Sequence, residues 1–205
     1  MGDERDIPKA RLRRALDARR EAIAADEIAR ASRAICDRVG LLDEVREAAV
    51  VVLYAAHRSE IVPRSLEAIA EAGQAKAFYY PRVEGDDLCF RRSSFDDLVP
   101  GRYGIPEPPP EAAALSPEGA RGIVVVPGIG FDRAGSRIGT GKGYYDRTLP
   151  RFPGLMRIGL ALDGLVVDRL PTDPWDVPMH LVVTEHDLLV GDPVARWSAG
   201  DLPWR

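Results

Sequence analysis

The pattern of apolar and polar residues predicts alternating helices and strands. From Lys9 to about Val39, apolar residues recur at helical spacing with no Gly or Pro, which predicts one long amphipathic helix or two helices that break near residues 24–26. Residues 48–56 and 122–126 are instead continuous apolar runs rich in Val, as in parallel strands buried on both faces. The pattern indicates an α/β protein.

Shorter segments complete the predicted fold. A helix is expected from Pro63 to Ala72, closed by Gly73, and another from about Gly143 to Leu149. Further strands are expected at residues 77–80 (ended by Pro81), 87–91, 157–162, 181–183 and, at a sheet edge, 186–190. Residues 100–122, rich in Pro, Gly and Glu, predict a surface connection rather than a linker. We therefore expect residues 1–205 to form a single α/β domain, a Rossmann-like open three-layer sandwich whose mostly parallel central sheet has helices on both faces.

Composition narrows the class of protein. The chain has 205 residues and a formal charge of −4, which argues against a general nucleic-acid binder. Its longest apolar run, residues 48–56, is far shorter than the roughly 20 residues of a membrane helix, and the charged N-terminus lacks a signal-peptide pattern. Cys36 and Cys89 have no metal-type spacing and are expected to be buried thiols in a reducing compartment. A monomeric cytoplasmic protein with no membrane or nucleic-acid partner is predicted.

A glycine-rich segment follows the second apolar run, at the strand end where open α/β sheets bind ligands. Its residues 127–146 are PGIGFDRAGSRIGTGKGYYD. Gly139, Gly141 and Gly143 alternate with Thr140 and Lys142 just before the predicted helix. Glycines allow backbone N–H groups to approach an anion, and a helix N-terminus adds the positive end of its dipole. The segment therefore predicts a phosphate site.

The charged residues of this segment suit a nucleotide. Arg137 and Lys142 are cationic donors for phosphate oxygens, and Asp146, in the first helical turn, can hold Mg²⁺. The segment is neither a Walker A loop, because Gly143 follows Lys142 where Ser or Thr is needed, nor a dinucleotide fingerprint. A flexible turn with solvated Arg and Lys is the structural alternative, but the combination of residues favours phosphate binding.

The same segment resembles the signature of 5-formyltetrahydrofolate cyclo-ligases, also called methenyltetrahydrofolate synthetases. The family pattern P-G-x-x-F-D-x-x-G-x-R-x-G-x-G-x-G-Y-Y-D is matched at every fixed position. The resemblance implies an ATP- and Mg²⁺-dependent conversion of 5-formyltetrahydrofolate to 5,10-methenyltetrahydrofolate, in which the formyl oxygen is phosphorylated and N10 attacks. It implies Lys142 and Arg137 as catalytic residues. The implied ATP-binding residues are Lys9, Arg13, Arg137, Gly139, Thr140, Gly141, Lys142, Gly143, Tyr144 and Tyr145.

The resemblance extends more thinly along the rest of the chain. It places Glu60, Tyr103 and Tyr144 at the folate substrate, and Asp146 and Asp176 at magnesium. Two departures stand beside Asp176: members commonly have His or Asn where this chain has Trp175, and an acidic residue where it has His180.

Each of these residues also has a structural interpretation. Taken alone, Glu60 fits a solvated loop end, and the tyrosines fit core aromatics, with one of the adjacent Tyr144 and Tyr145 pointing inward. Lys9 and Arg13 fit a basic surface stripe with Arg14, Arg19 and Arg20, and from the sequence alone this is the favoured interpretation. His57, His180 and His186 are expected to be solvated or structural.

Two other functions stay open at this point. One is a family-like protein that acts on another folate or a thiamine-type compound, and the other is a non-catalytic nucleotide-binding module. If residues 48–56 and 122–126 form central parallel strands, their carboxyl ends share one sheet edge, which brings Glu60 beside the glycine segment. The connection at 100–122 would then fold over that edge and offer Tyr103 as a stacking face.

Overall fold

The helices of the computed structural model follow the predicted order. The model describes residues 8–72 and 77–191. Within them the helices are α1 (Lys9–Glu21), α2 (Ala25–Gly40), α3 (Asp43–Arg46), α4 (Ser65–Ala72) and α5 (Tyr144–Thr148). The long N-terminal amphipathic segment is thus two helices, which separate at residues 22–24. Gly73, predicted to close α4, lies outside the described residues.

The strands form one large sheet and two small ones. They are β1 (Val50–Val52), β2 (Ala77–Glu84), β3 (Asp87–Arg92), β4 (Val99–Pro100), β5 (Pro106–Glu107), β6 (Gly122–Val126), β7 (Gly130–Asp132), β8 (Arg137–Ile138), β9 (Leu155–Leu160), β10 (Val166–Val167), β11 (Leu181–Val183) and β12 (Leu188–Val190). The seven-stranded sheet has the order β12-β11-β9-β6-β1-β2-β3. Its inner pairs are parallel, and the edge strands β12 and β3 are antiparallel to their neighbours. The smaller sheets are β10-β7-β8 and β4-β5.

The two continuous apolar runs lie side by side at the centre of the sheet. β1 pairs with β2 and β6, so that Val50 stands opposite both Ala77 and Gly122. Every residue of β6 is buried, because both faces of the sheet are covered. Helices α1 to α4 contribute buried residues to one face, and α5 with the turn after it covers the other. The predicted class, a mostly parallel sheet with helices on both faces, is confirmed.

One predicted strand end is wrong. Pro81 was expected to stop the second strand, but β2 continues through it to Glu84, with Pro81 opposite Phe90 of β3. On its other side β2 pairs with β1 only as far as Tyr79. Beyond Tyr79, no described strand pairs with β2 on the β1 side, so a residue without a backbone N–H, such as proline, is tolerated there.

The lengths of the helices and the state of the two cysteines also bear on function. None of the helices in residues 8–72 and 77–191 is long and apolar enough to cross a membrane. Cys36 is buried, Cys89 is half-buried, and both are free thiols. Burial raises the pKa of the Cys36 thiol.

Candidate active site

A cavity opens at the carboxyl edge of β1 and β6. Its volume of about 550 Å³ falls within the usual range for small-molecule sites. Every residue that the sequence analysis proposed for the site lines this cavity, from Lys9 on α1 to Asp176 before β11. The predicted meeting of Glu60 with the glycine loop, defined here as residues 139–143, is therefore confirmed.

The glycine loop is held against α1. Gly141 has a φ of +91°, and a Cβ on it would approach Arg13 Cζ to 3.4 Å. The Arg13 Nε–H donates to the carbonyl oxygen of Gly139 at 2.8 Å. A side chain at Gly141 would be strained, because left-handed backbone favours glycine. Arg13 therefore holds the loop against α1 at the wall of the cavity.

The helix that follows the loop is shorter than predicted. α5 covers five residues and continues as a 3₁₀ turn at Leu149–Arg151. A helix this short has a small dipole, so we attribute any anion binding mainly to the loop amides and the cations around them. Among these cations, Lys142 is exposed and makes no ion pair with any described residue.

The interpretation of the α1 arginines and lysine as a surface stripe is wrong for three of them. Lys9, Arg13 and Arg20 line the cavity, and only Arg14 and Arg19 are exposed as the stripe requires. Positions 9, 13 and 20 follow the i, i+4, i+11 spacing of one helix face. That face lies over the sheet edge beside β7 and the turn before β10. Lys9, Arg13 and Arg20 are therefore part of the cavity wall, and Arg14 and Arg19 are not among its lining residues.

Two groups of cations and carboxylates form part of the cavity wall. Arg137 Nη2 donates to both carboxylate oxygens of Asp146, at 3.0 and 3.1 Å, and the backbone N–H of Val177 also donates to Asp146 at 3.2 Å. Lys9 Nζ donates to Asp176 through a short contact and to Asp173 at 2.9 Å. Both predicted metal ligands thus have cationic partners.

These carboxylates suit magnesium better than a metal that needs a closed protein cage. No group of three or more His, Cys, Asp or Glu that could hold a metal occurs among the described residues. Mg²⁺ is usually held by one or two carboxylates together with substrate phosphates and water. Asp146 is 19% exposed and Asp176 17% exposed, and both line the same cavity as the glycine loop. The donor set therefore fits Mg²⁺ bound together with a nucleotide.

Glu60 lies at the inner side of the cavity. Its carboxylate accepts the backbone N–H of His57 at 2.9 Å and stands 3.7 Å from Nη1 of Arg20. Burial raises the pKa of Glu60, while the His57 hydrogen bond and the Arg20 charge oppose the rise. The solvated loop end expected as the structural alternative is wrong, because only 16% of this side chain is exposed.

Tyr103 stands at the cavity mouth in a left-handed turn. Its φ is 58°, its side chain is largely exposed, and its hydroxyl is 3.4 Å from that of Tyr144. Buried Glu107 holds this turn by accepting the N–H groups of Arg102 at 3.3 Å and Val83 at 3.4 Å. A Cβ on Gly101 would collide with Glu107, so that close approach needs glycine.

The adjacent tyrosines diverge, as predicted for neighbours in a helical turn. Tyr145 points inward, and burial raises the pKa of its hydroxyl; the Arg137 guanidinium lies 5.5 Å from its ring. Tyr144 points to the mouth and meets Tyr103. Tyr144 and Tyr103 thus meet at the mouth, and Tyr145 packs against the core beside Arg137.

The histidines differ in position. His186 is exposed, and His180 is buried outside the cavity, where it contacts Arg157. Burial and the Arg157 charge lower the pKa of His180 to about 3. His57 lines the cavity and offers its backbone N–H to Glu60. The departure at His180 therefore leaves the cavity untouched, whereas exposed Trp175 lies on its wall beside Asp176.

Sequence reasoning missed two residues of the site. Asp173 pairs with Lys9, and Arg20 lies beside Glu60. The helical spacing of Arg20 from Arg13 could have indicated the latter, and the position of Asp173 three residues before Asp176 could have suggested a shared turn.

Comparison with known proteins decides the family. The sequence-family model of the 5-formyltetrahydrofolate cyclo-ligase family matches residues 6–185 of this chain. The chain belongs to this family. A 5-formyltetrahydrofolate cyclo-ligase from Haemophilus influenzae is 33% identical over 158 residues, which cover 73% of this chain and 80% of that protein.

Other family members match over shorter or longer stretches. Cyclo-ligases from Mycolicibacterium smegmatis and Escherichia coli are 36% and 33% identical over 42% and 51% of this chain. These matched stretches span only 45% and 59% of the relatives' own lengths. The solved structure of Aquifex aeolicus 5,10-methenyltetrahydrofolate synthetase is 34% identical, with a TM-score of 0.77 and coverage of 90% of this chain and 93% of that one. This member of the cyclo-ligase family therefore shares its fold, over 90% of its chain, with a family member of known structure.

Proposed function

We propose that the protein converts 5-formyltetrahydrofolate and ATP to 5,10-methenyltetrahydrofolate, ADP and phosphate, with Mg²⁺ as the metal. The observation that carries the proposal is that two chemically distinct sets of residues line one cavity. One set is the glycine loop with Lys142, Arg137 and Asp146, and the other is Glu60 with Tyr103 and Tyr144. The first suits a nucleotide triphosphate, and the second suits a flat, hydrogen-bonding ring.

The reaction needs an activated leaving group. The formyl oxygen attacks the γ-phosphorus of ATP, so that an O–P bond forms as the bond to ADP breaks. N10 then attacks the formyl carbon and loses its proton, while the C–O bond breaks and phosphate leaves. Such phosphoryl transfer relies on positioning and charge neutralisation rather than on a protein nucleophile.

The residues of the glycine loop and its surroundings would supply that neutralisation. Lys142 projects from the loop with no ion pair to any described residue, so its ammonium is available to the transferred phosphoryl group. Arg137 faces the same region but is held by Asp146 in this structure. Mg²⁺, held by Asp146 and Asp176, would supply positive charge to the phosphate oxygens. Arg137, on the wall of the same cavity, would add its positive charge to the neutralisation of the phosphates.

Glu60, Tyr103 and Tyr144 would hold the folate. The Glu60 carboxylate would accept N–H groups of the pterin ring in a charge-assisted, bidentate manner. Tyr103 and Tyr144 would cover the ring at the mouth, where stacking adds about 0.5–1.5 kcal/mol beyond burial. N10 and the formyl group would then lie in the part of the cavity that Glu60 shares with the glycine loop.

One assay separates this proposal from its alternatives. The purified protein is supplied with ATP, Mg²⁺ and 5-formyltetrahydrofolate, and both the methenyl product and ADP are measured. We expect equal amounts of both, and neither when the folate is left out. ATP turnover with another folate or a thiamine-type compound alone would indicate a different substrate, and nucleotide binding without turnover would indicate a binding module. Lys142→Ala is the matched inactive variant.

A further inference from the structure

Arg20 is a buried cation with spare hydrogen-bonding groups. Its side chain is only 6% exposed, yet Nε and Nη1 have no acceptor among the described residues. Nη2 alone is satisfied, by Asp17 at 2.9 Å. Burying donors without partners costs free energy, so the position of this side chain calls for a reason beyond packing.

The carboxylate nearest to the free side of this guanidinium belongs to Glu60. Arg20 Nη1 stands 3.7 Å from Glu60 Oε1, within ion-pair distance but beyond a hydrogen bond. Arg20 is among the residues that line the cavity, but its unpartnered nitrogens are covered, and the carboxylate beside Nη1 is that of Glu60. Glu60 therefore offers the most direct route by which the Arg20 charge can act on a ligand.

We propose that Arg20 is a positioning residue for Glu60: its buried charge keeps that carboxylate ionised and directed into the cavity, ready to accept the N–H groups of the pterin ring. The inference rests on the proposed function, and it assigns a task to a residue outside the glycine-loop signature. A neutral carboxylic acid at Glu60 would present a hydroxyl donor to those N–H groups and would lose the bidentate pairing.

The surroundings of Glu60 supply little other positive charge. The titratable and charged groups around it are Arg20, with its partners Asp17 and Glu21, on α1; Tyr54 after β1; Tyr145 on α5; and His57 and Arg58 in its own turn. The tyrosines stay neutral, because burial and the Glu60 charge raise the pKa of both hydroxyls. Arg20 is the cation that opposes the effect of burial on the Glu60 pKa.

The test compares Arg20→Met with Arg19→Met, an equal loss of charge at the exposed neighbouring residue. Carbon-13 NMR of the side-chain carboxyls follows the ionisation of Glu60 in the ligand-free protein, with Glu60→Gln identifying its resonance. An opposite charge within ~4–6 Å lowers a carboxyl pKa by about 1–3 units, so we expect Arg20→Met to move the Glu60 titration upward by at least about one pH unit. Arg20→Lys should reverse most of that shift, and Arg19→Met should leave it at the wild-type value.

Kinetics then link the charge to the substrate. In Arg20→Met, the acidic limb of kcat/KM for 5-formyltetrahydrofolate should move upward with the NMR titration, while KM for ATP stays near the wild-type value. The double variant Arg20→Met/Glu60→Gln should show no loss beyond Glu60→Gln. If Arg20→Met does not fold, Arg20→Gln takes its place.

Three results would overturn the inference: an unchanged Glu60 titration in Arg20→Met, an unchanged folate profile despite a shifted titration, or an equal effect of Arg19→Met. Absence of folate turnover in the wild-type protein would instead refute the proposed function. The NMR titration would then still decide whether Arg20 controls the ionisation of Glu60.

Discussion

Replacing Asp146 with Asn should affect both the stability of the protein and its response to magnesium. In the ligand-free cavity, Asp146 receives two contacts from Arg137 Nη2 and one from the Val177 N–H. The amide keeps one oxygen acceptor but loses the charge and the second oxygen. Arg137, 7% exposed and with Nε already without an acceptor among the described residues, would become a poorly compensated buried cation.

The magnitude follows from the hydrogen bonds lost. A hydrogen bond to a charged group contributes about 1.5–3 kcal/mol, so we expect Asp146→Asn to lower the free energy of unfolding by that amount. For a chain of this length the Tm should fall by ~3–12 °C. Asp173→Asn is the control, since that carboxylate pairs with Lys9 but is 43% exposed. Its loss should cost only ~0.2–1 kcal/mol.

Urea unfolding without ligands measures the first effect, and the steady-state rate against Mg²⁺ concentration measures the second. The magnesium curve of Asp146→Asn should move to higher concentration with folate KM little changed. Equal stability of the Asn variant and wild type would refute the structural ion pair. A magnesium curve that stays in place while folate binding weakens would refute the assignment of Asp146 as a metal ligand.

Three further predictions follow from the same cavity and its surroundings. Lys142→Ala should abolish turnover and leave the thermal melt unchanged, because the side chain is exposed and unpaired among the described residues; near-normal turnover would remove Lys142 from the catalytic group. Glu60→Gln should raise KM for the folate by at least about tenfold, and Tyr103→Ala should raise it several-fold. KM for ATP should be unchanged in both variants. An unchanged folate KM in Tyr103→Ala would mean that the turn around Tyr103 is only a surface loop. The pKa of His180 is lowered from an ordinary 6.5 to about 3, so between these pH values the unfolded state binds a proton that the folded state does not. The free energy of unfolding should therefore fall as the pH drops from 6.5 towards 3, by at most ~1.4 kcal/mol per pH unit. Urea unfolding at several pH values measures that slope, which His180→Gln should reduce.

The centre of the sheet and the glycine loop could be predicted because their residue types allow few alternatives. Continuous Val-rich runs fit buried parallel strands, and neighbouring parallel strands place their carboxyl ends at one edge. This geometry brought Glu60 to the glycine loop without any knowledge of the contacts. The signature then indicated which side chains line the cavity around that loop.

The remaining features depend on tertiary placement. Arg20 has the same chemistry as Arg19. Its spacing from Arg13 places it on the same face of α1, but the burial of that face depends on how α1 packs against the sheet edge. The path of β2 through Pro81 depends on where β1 ends. The engagement of Asp146 by Arg137 depends on a side-chain contact between β8 and α5, which periodicity does not encode.

The Glu107 anchor has a consequence for the speed of substrate capture. The turn around Tyr103 takes a backbone conformation that costs a non-glycine residue about 1–3 kcal/mol, and in the folded protein Glu107 holds the turn by accepting the Arg102 N–H. The aromatic face formed by Tyr103 and Tyr144 at the mouth is therefore preorganised, and a ligand does not have to order a flexible segment when it binds. Association should then proceed without the slow phase that loop closure imposes, and differences in affinity among related ligands should arise mainly from how quickly they leave.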